Sequence, residues 1–342
     1  MFCVIYGHPV LVYIKGYTAC HSLTNQDTLV FMIIVFGAVS ADLRFDVDIF
    51  PGNNEAVEAL SYVVTPGGRG ANQAVAAIRS GAKVTLIGTA GKDCFGDKIL
   101  TRLQAEGAVT SGISRESGTT GTITTITNKH GHHIAVTSPG TNALLAAKHL
   151  SDELLNDKAL VLLQTDTASE ENEAVLAKAK NARARTMMNL APSIDMTKKT
   201  LDNLDYLIVN QGQARQLARK LNLDVDSNAL KMAQGLARQG KLNCIVTLGE
   251  RGCVAVTLEG IGWTVEALRL EKVVDTSGAE DSYCGTLAAC VQAGMPLPRA
   301  MKRASIAASL TCTKKGAQNA FPTLDEIDKR INDIPDPKQQ EL

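Results

Sequence analysis

Short runs of apolar, β-branched residues alternate along the chain with longer segments whose apolar residues recur at helical spacing. The runs have the length of buried strands, and several of the longer segments end at Gly or Asn, as helices commonly do. The predicted strands are Ile33–Phe36, Val84–Ile87, Ala159–Leu163, Thr186–Asn189, Tyr206–Val209 and Cys244–Thr247. The predicted helices are Ala71–Ser80, Lys98–Glu106, Glu170–Asn181, Gln213–Leu221 and Ala229–Gln239. This alternation predicts an α/β fold with a mostly parallel central sheet that helices cover on both faces.

Two segments break this pattern, Leu43–Val64 and Thr120–Val136. Both alternate polar and apolar residues in the way that half-exposed antiparallel strands do. We expect them to form a small β flap, or lid, beside the main sheet.

The ends of the chain differ from its middle. Residues 1–31 show no steady hydrophobic period and lack the basic start and cleavage site of a signal peptide, whereas Met32 directly precedes a strand pattern. We therefore expect Met32 to be the natural start and residues 1–31 to be extraneous or disordered; an N-terminal mass spectrum that shows Met1 in the native protein would contradict this. Residues 32–332 are predicted to form one α/β domain, followed by a polar tail over 333–342.

Composition narrows the classes of function. The chain has 342 residues, and its 35 basic residues balance 35 acidic ones without a long basic run, so we expect no nucleic-acid partner. No apolar run reaches the roughly 18 residues that a membrane span requires, so we expect no membrane association. The eight cysteines are scattered without a C-x-x-C pair, which is typical of a reduced, cytoplasmic protein.

Two glycine-rich stretches carry the candidate chemistry. Pro66–Val75 reads P-G-G-R-G-A-N-Q-A-V, and Val274–Gly285 reads V-D-T-S-G-A-E-D-S-Y-C-G. Each opens onto a helix, and the unpaired amides and the dipole of a helix start favour a bound anion. Asp281 lies in the first turn of the second helix, where a carboxylate can take a proton from an attacking hydroxyl beside a bound phosphate. Alternatively, this stretch is only an acidic helix start.

Together the two stretches resemble the two signatures of the PfkB carbohydrate kinases, and specifically the ribokinase branch of that family. The resemblance runs in collinear order from Met32 to Arg330. It continues in V-F-G-A-V-S-A-D at 35–42, I-G-T-A-G-K-D-C-F-G at 87–96, T-L-G-E-R-G at 247–252 and T-K-K-G-A-Q at 313–318. It implies a ribokinase-like three-layer fold with a β lid. It also implies ATP-dependent phosphorylation of a primary hydroxyl of a small sugar, with ribose as the leading candidate, by direct in-line transfer.

The resemblance also implies roles for individual residues. Asp281 matches the catalytic base, in a catalytic group with Gly278, Ala279 and Glu280, whose backbone amides match an anion hole. The implied sugar-binding residues are Asp42, Gly68, Arg69, Asn72 and Asp166. The implied nucleotide-binding residues are Asn210, Thr247, Gly249, Gly252, Gly278 and Ser305. The residues implied to hold an activating potassium ion are Asp275, Ser277, Gly316 and Ala320. Magnesium is implied near Gln213, and the lid is implied to pair two subunits as a homodimer.

Three residues depart from the family pattern. Glu280 replaces a glycine beside the base, Gln213 replaces the acid of an N-x-x-E element that keeps Asn210, and Ser40 replaces an asparagine that contacts the sugar. Glu280 would repel a nearby phosphate unless its carboxylate points away or binds magnesium. The alternatives that remain open are therefore a kinase for a nucleoside or another furanose, and a catalytically weakened relative that binds sugar or nucleotide.

Overall fold

The computed structural model describes residues 32–224 and 228–342, so the predicted extension over 1–31 lies outside the described residues. The described strands, in chain order, are β1 (Met32–Phe36), β2 (Ser40–Val47), β3 (Ala59–Gly67), β4 (Val84–Gly91), β5 (Ile113–Glu116), β6 (Gly121–Asn128), β7 (His133–Ser138), β8 (Ala159–Gln164), β9 (Arg185–Asn189), β10 (Tyr206–Asn210), β11 (Asn243–Thr247), β12 (Cys253–Val256), β13 (Gly262–Val265) and β14 (Lys338–Gln340). The described α-helices are α1 (Arg69–Arg79), α2 (Cys94–Ala105), α3 (Ser169–Asn181), α4 (Lys198–Leu201), α5 (Gln211–Lys220), α6 (Ala229–Gly240), α7 (Ala279–Gln292), α8 (Leu297–Thr311) and α9 (Leu324–Asp328).

The main sheet has ten strands in the order β14-β13-β12-β11-β10-β9-β8-β1-β4-β5. The strands from β11 to β5 are parallel to one another, and β12, β13 and β14 continue the sheet in antiparallel fashion. Every predicted strand and helix is present, with ends that shift by a few residues. The antiparallel strands were not predicted, and β14 lies within the segment predicted as a polar tail.

Each face of the sheet carries its own hydrophobic core, because a strand sends successive side chains to opposite faces. In β1, Ile33 and Val35 join the core under α1, α2, α7 and α8, while Ile34 and Phe36 join the core under α3, α5 and α6. The predicted α/β fold with a mostly parallel sheet between two helical layers is thus confirmed. Among the helices of the described residues, none combines the length and the apolar content that crossing a bilayer takes.

The predicted lid is a separate sheet of four strands in the order β3-β2-β6-β7. The β2–β3 and β6–β7 pairs are antiparallel, as expected, but β2 and β6 run parallel. Asp42 and Arg44 are two residues apart on β2, so both side chains point to the same face of the lid.

Helices α1 and α7 pack side by side over the sheet, and they approach each other very closely at Gly285. A β-carbon at this position would lie 2.4 Å from the Gln73 carbonyl oxygen and 2.6 Å from the β-carbon of Ala76. Only glycine therefore permits this crossing. The crossing brings the first turn of α7, one turn before Gly285, against the first turn of α1.

The close crossing predicts opposite effects for the same substitution in two helices. Gly285→Ala lowers the free energy of unfolding by about 1–3 kcal/mol, because the methyl group overpacks the α1–α7 contact. Gly235→Ala in α6 is the matched control, since its β-carbon meets only a Leu223 methyl group at 3.4 Å, an ordinary contact distance. There the better helix propensity of alanine raises the free energy of unfolding by roughly 0.5–1 kcal/mol. Urea denaturation measures both, and stabilisation by both variants would contradict the argument.

Candidate active site

The first turn of α7 is the centre of the candidate site. The N-cap is Gly278, which has a φ of 76° and a ψ of 0° and provides no side-chain cap. A positive φ of this size favours glycine. The turn contains Glu280 and Asp281, and no basic residue neutralises it from within the helix sequence. The amides of this uncapped turn are suited to a bound anion, as predicted from the stretch Val274–Gly285.

Asp281 is only 5% exposed, and side chains of α1 hold its carboxylate. Asn72 Nδ2 donates to Oδ2 at 2.9 Å, and Gln73 Nε2 donates to Oδ1 at 3.0 Å. The Arg69 guanidinium lies 3.9 Å from Oδ1. Burial raises the pKa of Asp281, while the charge of Arg69 and the two amide hydrogen bonds oppose that rise. An oriented carboxylate with a raised pKa can accept a proton more readily than an exposed aspartate.

A chain of buried amides lies behind this carboxylate. Gln73 Nε2 also donates to Asn189 Oδ1 at 3.1 Å, and Gln164 Nε2 donates to Gln73 Oε1 at 2.7 Å. On the other side, Gln318 Nε2 donates to Asn72 Oδ1 at 3.0 Å. Asn72 alone among these amides was predicted as a site residue.

The sequence did contain a clue to two of the amides that were missed. Gln164 and Asn189 are each the last residue of a buried parallel strand, which is the edge where ligands bind in open α/β sheets. A fully buried polar residue at such a position needs a partner. The partner, however, depends on how α1 crosses α7, which the local sequence does not show.

Two of the departures from the family pattern gain or lose an acid, Glu280 and Gln213, and both side chains have hydrogen-bond partners. Glu280 Oε1 accepts a hydrogen bond from Asn189 Nδ2 at 2.8 Å, which holds its carboxylate against the amide chain. Gln213 forms a capping box with Asn210: Gln213 N donates to Asn210 Oδ1 at 2.9 Å, and Asn210 N donates to Gln213 Oε1 at 2.8 Å. Glutamine replaces glutamate in a capping box without loss, so the start of α5 is preserved although its charge is gone.

Two further predicted carboxylates, Asp42 and Asp166, lie near Asp281. Burial raises the pKa of each to about 6, and the charge of Asp281 adds to the rise. Ser40 Oγ donates to Asp42 Oδ1 at 3.2 Å. Asp166 Oδ1 is buried and finds no hydrogen-bond partner among the described residues, and the charge of Arg69 partly offsets its burial. The structure therefore brings together the predicted sugar-binding carboxylates, Arg69 at the first position of α1, Asn72, and the N-cap Gly68.

The predicted nucleotide-binding residues lie in three places, of which Gly278 at the start of α7 is one. Asn210 and Thr247 are register partners at the ends of β10 and β11, and Thr247 leads into the turn that contains Gly249 and ends at Gly252. Ser305, in contrast, is buried within α8 and 4% exposed. It lies beside the buried Cys253 thiol, so it faces the core.

The residues predicted to hold potassium form a junction between two loops. The Asp275 carboxylate accepts hydrogen bonds from Ser277 N and Gly316 N, each at 2.9 Å, and it forms a 2.9 Å ion pair with Arg44 of the lid. Burial disfavours its charge, but these bonds outweigh burial and lower the pKa of Asp275 to about 2. Ala320 is buried, and its amide donates to Ala317 O. Because Arg44 already pairs with the Asp275 carboxylate, its oxygens do not suit a further cation.

No cluster of three or more His, Cys, Asp or Glu side chains with a metal-binding arrangement occurs within residues 32–224 and 228–342. A magnesium ion would therefore depend on ligands from a nucleotide in addition to the protein. The Glu280 carboxylate suits this role, because one hydrogen bond leaves it lone pairs for a hard cation.

The sequence is similar to known carbohydrate kinases over most of its length. Residues 30–324 match the profile described as "pfkB family carbohydrate kinase". A ribokinase from Lactococcus lactis is 29% identical over 305 residues, which cover 88% of this chain and 97% of the relative. A deoxyribokinase from Salmonella typhi is 26% identical over 304 residues, which cover 88% of this chain and 98% of the relative.

Solved structures show the same fold. The crystal structure of a ribokinase from Thermotoga maritima superposes with a TM-score of 0.80 at 25% identity and covers 88% of this chain and 99% of its own. The structure of an Arabidopsis thaliana ribokinase complexed with ribose and ATP also gives a TM-score of 0.80, at 23% identity, with 88% of this chain and 98% of that chain covered. The family signatures, the lid beside a parallel sheet and the matched length agree: the chain belongs to the pfkB family of carbohydrate kinases.

Proposed function

We propose that this kinase transfers the γ-phosphoryl group of ATP to the primary hydroxyl of a small sugar, most directly ribose to give ribose 5-phosphate. The observation that carries the proposal is the buried Asp281 carboxylate, which two amides of α1 hold in the uncapped first turn of α7. A proton acceptor and an anion-binding helix start thus lie within one turn, as direct phosphoryl transfer to a hydroxyl requires.

The sugar side of the site suits a neutral polyol. Asp42, Asp166 and Asp281 present carboxylate oxygens, which accept hydrogen bonds from hydroxyl groups. The unpaired Asp166 Oδ1 supports this assignment, because a buried acceptor without a donor is costly unless a ligand supplies one. The Arg69 guanidinium lies near Asp166 and Asp281 and that of Arg44 near Asp42, and Asn72 can donate or accept. A negatively charged substrate would be repelled by such a pocket.

The nucleotide side suits the phosphates and base of ATP. We assign the transferred phosphate to the amides of Gly278 and its successors, and the rest of the nucleotide to Asn210, Thr247, Gly249 and Gly252. Magnesium would bind the ATP phosphates and Glu280, and when bound it would neutralise phosphate charge.

The reaction follows from these positions. Asp281 accepts the proton as the sugar oxygen attacks, the new bond forms between that oxygen and the γ-phosphorus, and the bond from the γ-phosphorus to the bridging oxygen of ADP breaks in line with it. Most of the catalytic effect comes from holding the two reactants in this alignment. The amides at the start of α7 stabilise negative charge on the phosphoryl oxygens.

Two observations favour alternatives. Ser40 is smaller than the asparagine of similar enzymes and bonds Asp42, so more space remains on the lid side of the sugar; this favours a nucleoside or another furanose as substrate. The second alternative is a protein that binds sugar or nucleotide with little turnover. Glu280 adds a negative charge beside the phosphate, and Gln213 lacks the negative charge of the acid that it replaces.

We further propose a cytoplasmic homodimer that pairs through the lid. One face of the lid exposes large apolar side chains, with Tyr62 68%, Ile134 46% and Val136 67% exposed, and Tyr62 stacks on Phe45 of the neighbouring strand at 5.8 Å. An exposed apolar face of this kind marks an interaction surface. Subunit pairing would cover the face opposite to Asp42 and Arg44.

The substrate and the base are tested together by a coupled ADP-release assay. The protein is assayed with magnesium-ATP and ribose, deoxyribose, fructose or a nucleoside panel. Ribose is expected to give the highest kcat/KM. Asp281→Asn lowers kcat by about 10²–10⁴-fold, because the general base is lost. Asp325→Asn is the matched control in the first turn of α9 and leaves the rate unchanged.

Glu280→Gly separates the enzyme from the binding protein. If the natural chain phosphorylates a sugar, the proposal stands. A loss of magnesium affinity in Glu280→Gly then supports Glu280 as a magnesium ligand. If the natural chain is inactive and only Glu280→Gly turns over, the chain is a binding relative and the kinase proposal is wrong.

The carboxylate cluster predicts an acid limb in the pH profile of activity. Since burial raises the pKa of Asp42 and Asp166 to about 6, kcat/KM for the sugar falls as the pH decreases through about 6. Each raised carboxyl binds its proton more tightly when folded than when unfolded, so protonation in this window does not destabilise the fold. Activity should therefore fall while the Tm does not. A constant kcat/KM down to about pH 4.5, near the range of ordinary carboxyls, would contradict this.

The lid interface is tested by the mass of the protein in solution. Tyr62→Lys and Val136→Lys are expected to convert the dimer into a monomer, because a charge buried in an apolar interface is costly. Leu258→Lys is the matched control, since Leu258 is an apolar residue away from the lid that is 56% exposed. Light scattering after size exclusion measures all three. A monomeric natural protein would contradict the proposal.

A further inference from the structure

Arg44 projects from the lid strand β2 to the loop that precedes the catalytic helix. Its Nη1 lies 2.9 Å from Asp275 Oδ2, although 231 residues separate the two in the chain. The side chains are 33% and 18% exposed, so this ion pair is sheltered from solvent on the Asp275 side. It is therefore less screened than a fully exposed pair.

Asp275 itself connects two loops. Its Oδ1 accepts from Ser277 N in the loop before α7, and its Oδ2 accepts from Gly316 N in the loop after α8. The amide of Val274 donates to Cys312 O and joins the same loops a second time. The position of the anion-binding turn at Gly278 thus depends on the Asp275 carboxylate.

These are the loops that the family resemblance assigns to a potassium ion, and here a guanidinium is in contact with their carboxylate. Both carboxylate oxygens already accept hydrogen bonds, and Oδ2 accepts from both Arg44 and Gly316. A potassium ion at the same carboxylate would be repelled by the guanidinium, because like charges at short distance in a sheltered site interact strongly. The donor set fits one cation, and Arg44 provides it.

We propose that Arg44 is a positioning residue that supplies the positive charge at Asp275 from within the chain, so that phosphoryl transfer requires no monovalent cation. Arg44 does not touch the reacting atoms. It acts through Asp275 on the loop that holds the first turn of α7. The measurement of kcat that tests this inference rests on the proposed kinase function. The measurement of Tm depends only on the contact between the two loops at Asp275.

The position of Arg44 on β2 connects the proposed sugar site to the loop that contains Asp275 and precedes α7. Asp42, which we assign to the sugar, lies two residues earlier on the same face of the same strand. A sugar bound at Asp42 would therefore contact the same strand that holds Arg44 against Asp275. Loss of Arg44 should lower kcat more than it raises KM for the sugar, because the affected loop acts on the transferred phosphate.

The test compares the natural chain, Arg44→Ala and Arg44→Lys, with Lys129→Ala as the matched control. Lys129 also forms a lid ion pair, with Asp48 at 2.9 Å, but both side chains are at least half exposed and neither lies in the loops. ADP release is measured in potassium-free buffer and with about 100 mM KCl, with choline chloride added to keep the ionic strength constant. The Tm of each variant is measured in the same buffers.

We expect the kcat of the natural chain and of Lys129→Ala to be the same in potassium as in choline. The kcat of Arg44→Lys is expected to be lower than that of the natural chain, but also the same in both salts. Arg44→Ala should lose about 10- to 100-fold in kcat in choline, as a displaced catalytic loop does. Potassium should restore part of that loss and raise the Tm of Arg44→Ala alone. Activation of the natural chain by potassium, or an Arg44→Ala variant that is fully active and indifferent to potassium, would overturn the inference.

The two readouts keep this inference separate from the proposed function. If the natural chain has no kinase activity, the proposed function fails, while a potassium-dependent rise in Tm confined to Arg44→Ala still supports Arg44. If Arg44→Ala does not fold, potassium dependence of the natural chain and of Arg44→Lys decides: indifference of both supports the inference, and activation of either overturns it.

Discussion

A carboxylate that is buried where two helices cross is the constraint on which the rest of the site depends. Removing the charge of Asp281 from water costs free energy, and the structure compensates with two amide hydrogen bonds and a nearby guanidinium. These partners reach Asp281 only because α1 and α7 approach as closely as Gly285 allows. The hydrogen bonds that hold the proposed base therefore depend directly on the geometry of the crossing.

The surroundings of this carboxylate divide into a neutral and a charged part. Behind Asp281, the buried groups are amides, which hydrogen-bond one another and carry no net charge, while Gln164 Oε1 and Gln318 Oε1 accept no hydrogen bond from the described residues. In front of it, Asp42, Asp166 and Glu280 give the pocket an excess of negative charge over Arg69. In the proposed function, such a pocket favours hydroxyl groups on one side and leaves the helix amides of α7 to receive the phosphate. The bond from Asn189 explains how Glu280 is accommodated where similar enzymes have glycine.

Hydrophobic periodicity was sufficient to predict the layers of the fold, because each buried strand is a continuous apolar run and each helix repeats at its own spacing. It missed the short edge strand β5, and it missed β12, β13 and β14, which form an antiparallel edge with short or polar sequences such as that of Lys338–Gln340. The motifs predicted Asp281 and Asn72 as site residues, and the structure brings these two side chains into contact. They did not indicate roles for Gln73 and Gln318, whose partners depend on long-range packing.

Arg44 shows the same limit more clearly. In the sequence it is one polar residue of an alternating lid strand, where the simplest interpretation is a solvated side chain. Its partner, Asp275, lies in another loop far along the chain, and no local pattern connects the two. The contact between the lid and the loop before α7 is thus a property of the tertiary structure, whereas the proposed catalytic turn is already visible in its motif.

The central claim is that Asp281 directs the phosphoryl group to a primary hydroxyl, and the position of the phosphate in the product tests it most directly. A proton-coupled phosphorus NMR spectrum of the product from ribose and ATP should show a triplet, since the phosphate ester is then attached to a CH₂ group. In the same reaction time, the amount of this product should fall by about 10²–10⁴-fold when Asp281→Asn replaces the natural chain at equal concentration. A doublet, which indicates a secondary ester, or an undiminished triplet with Asp281→Asn, would contradict the account.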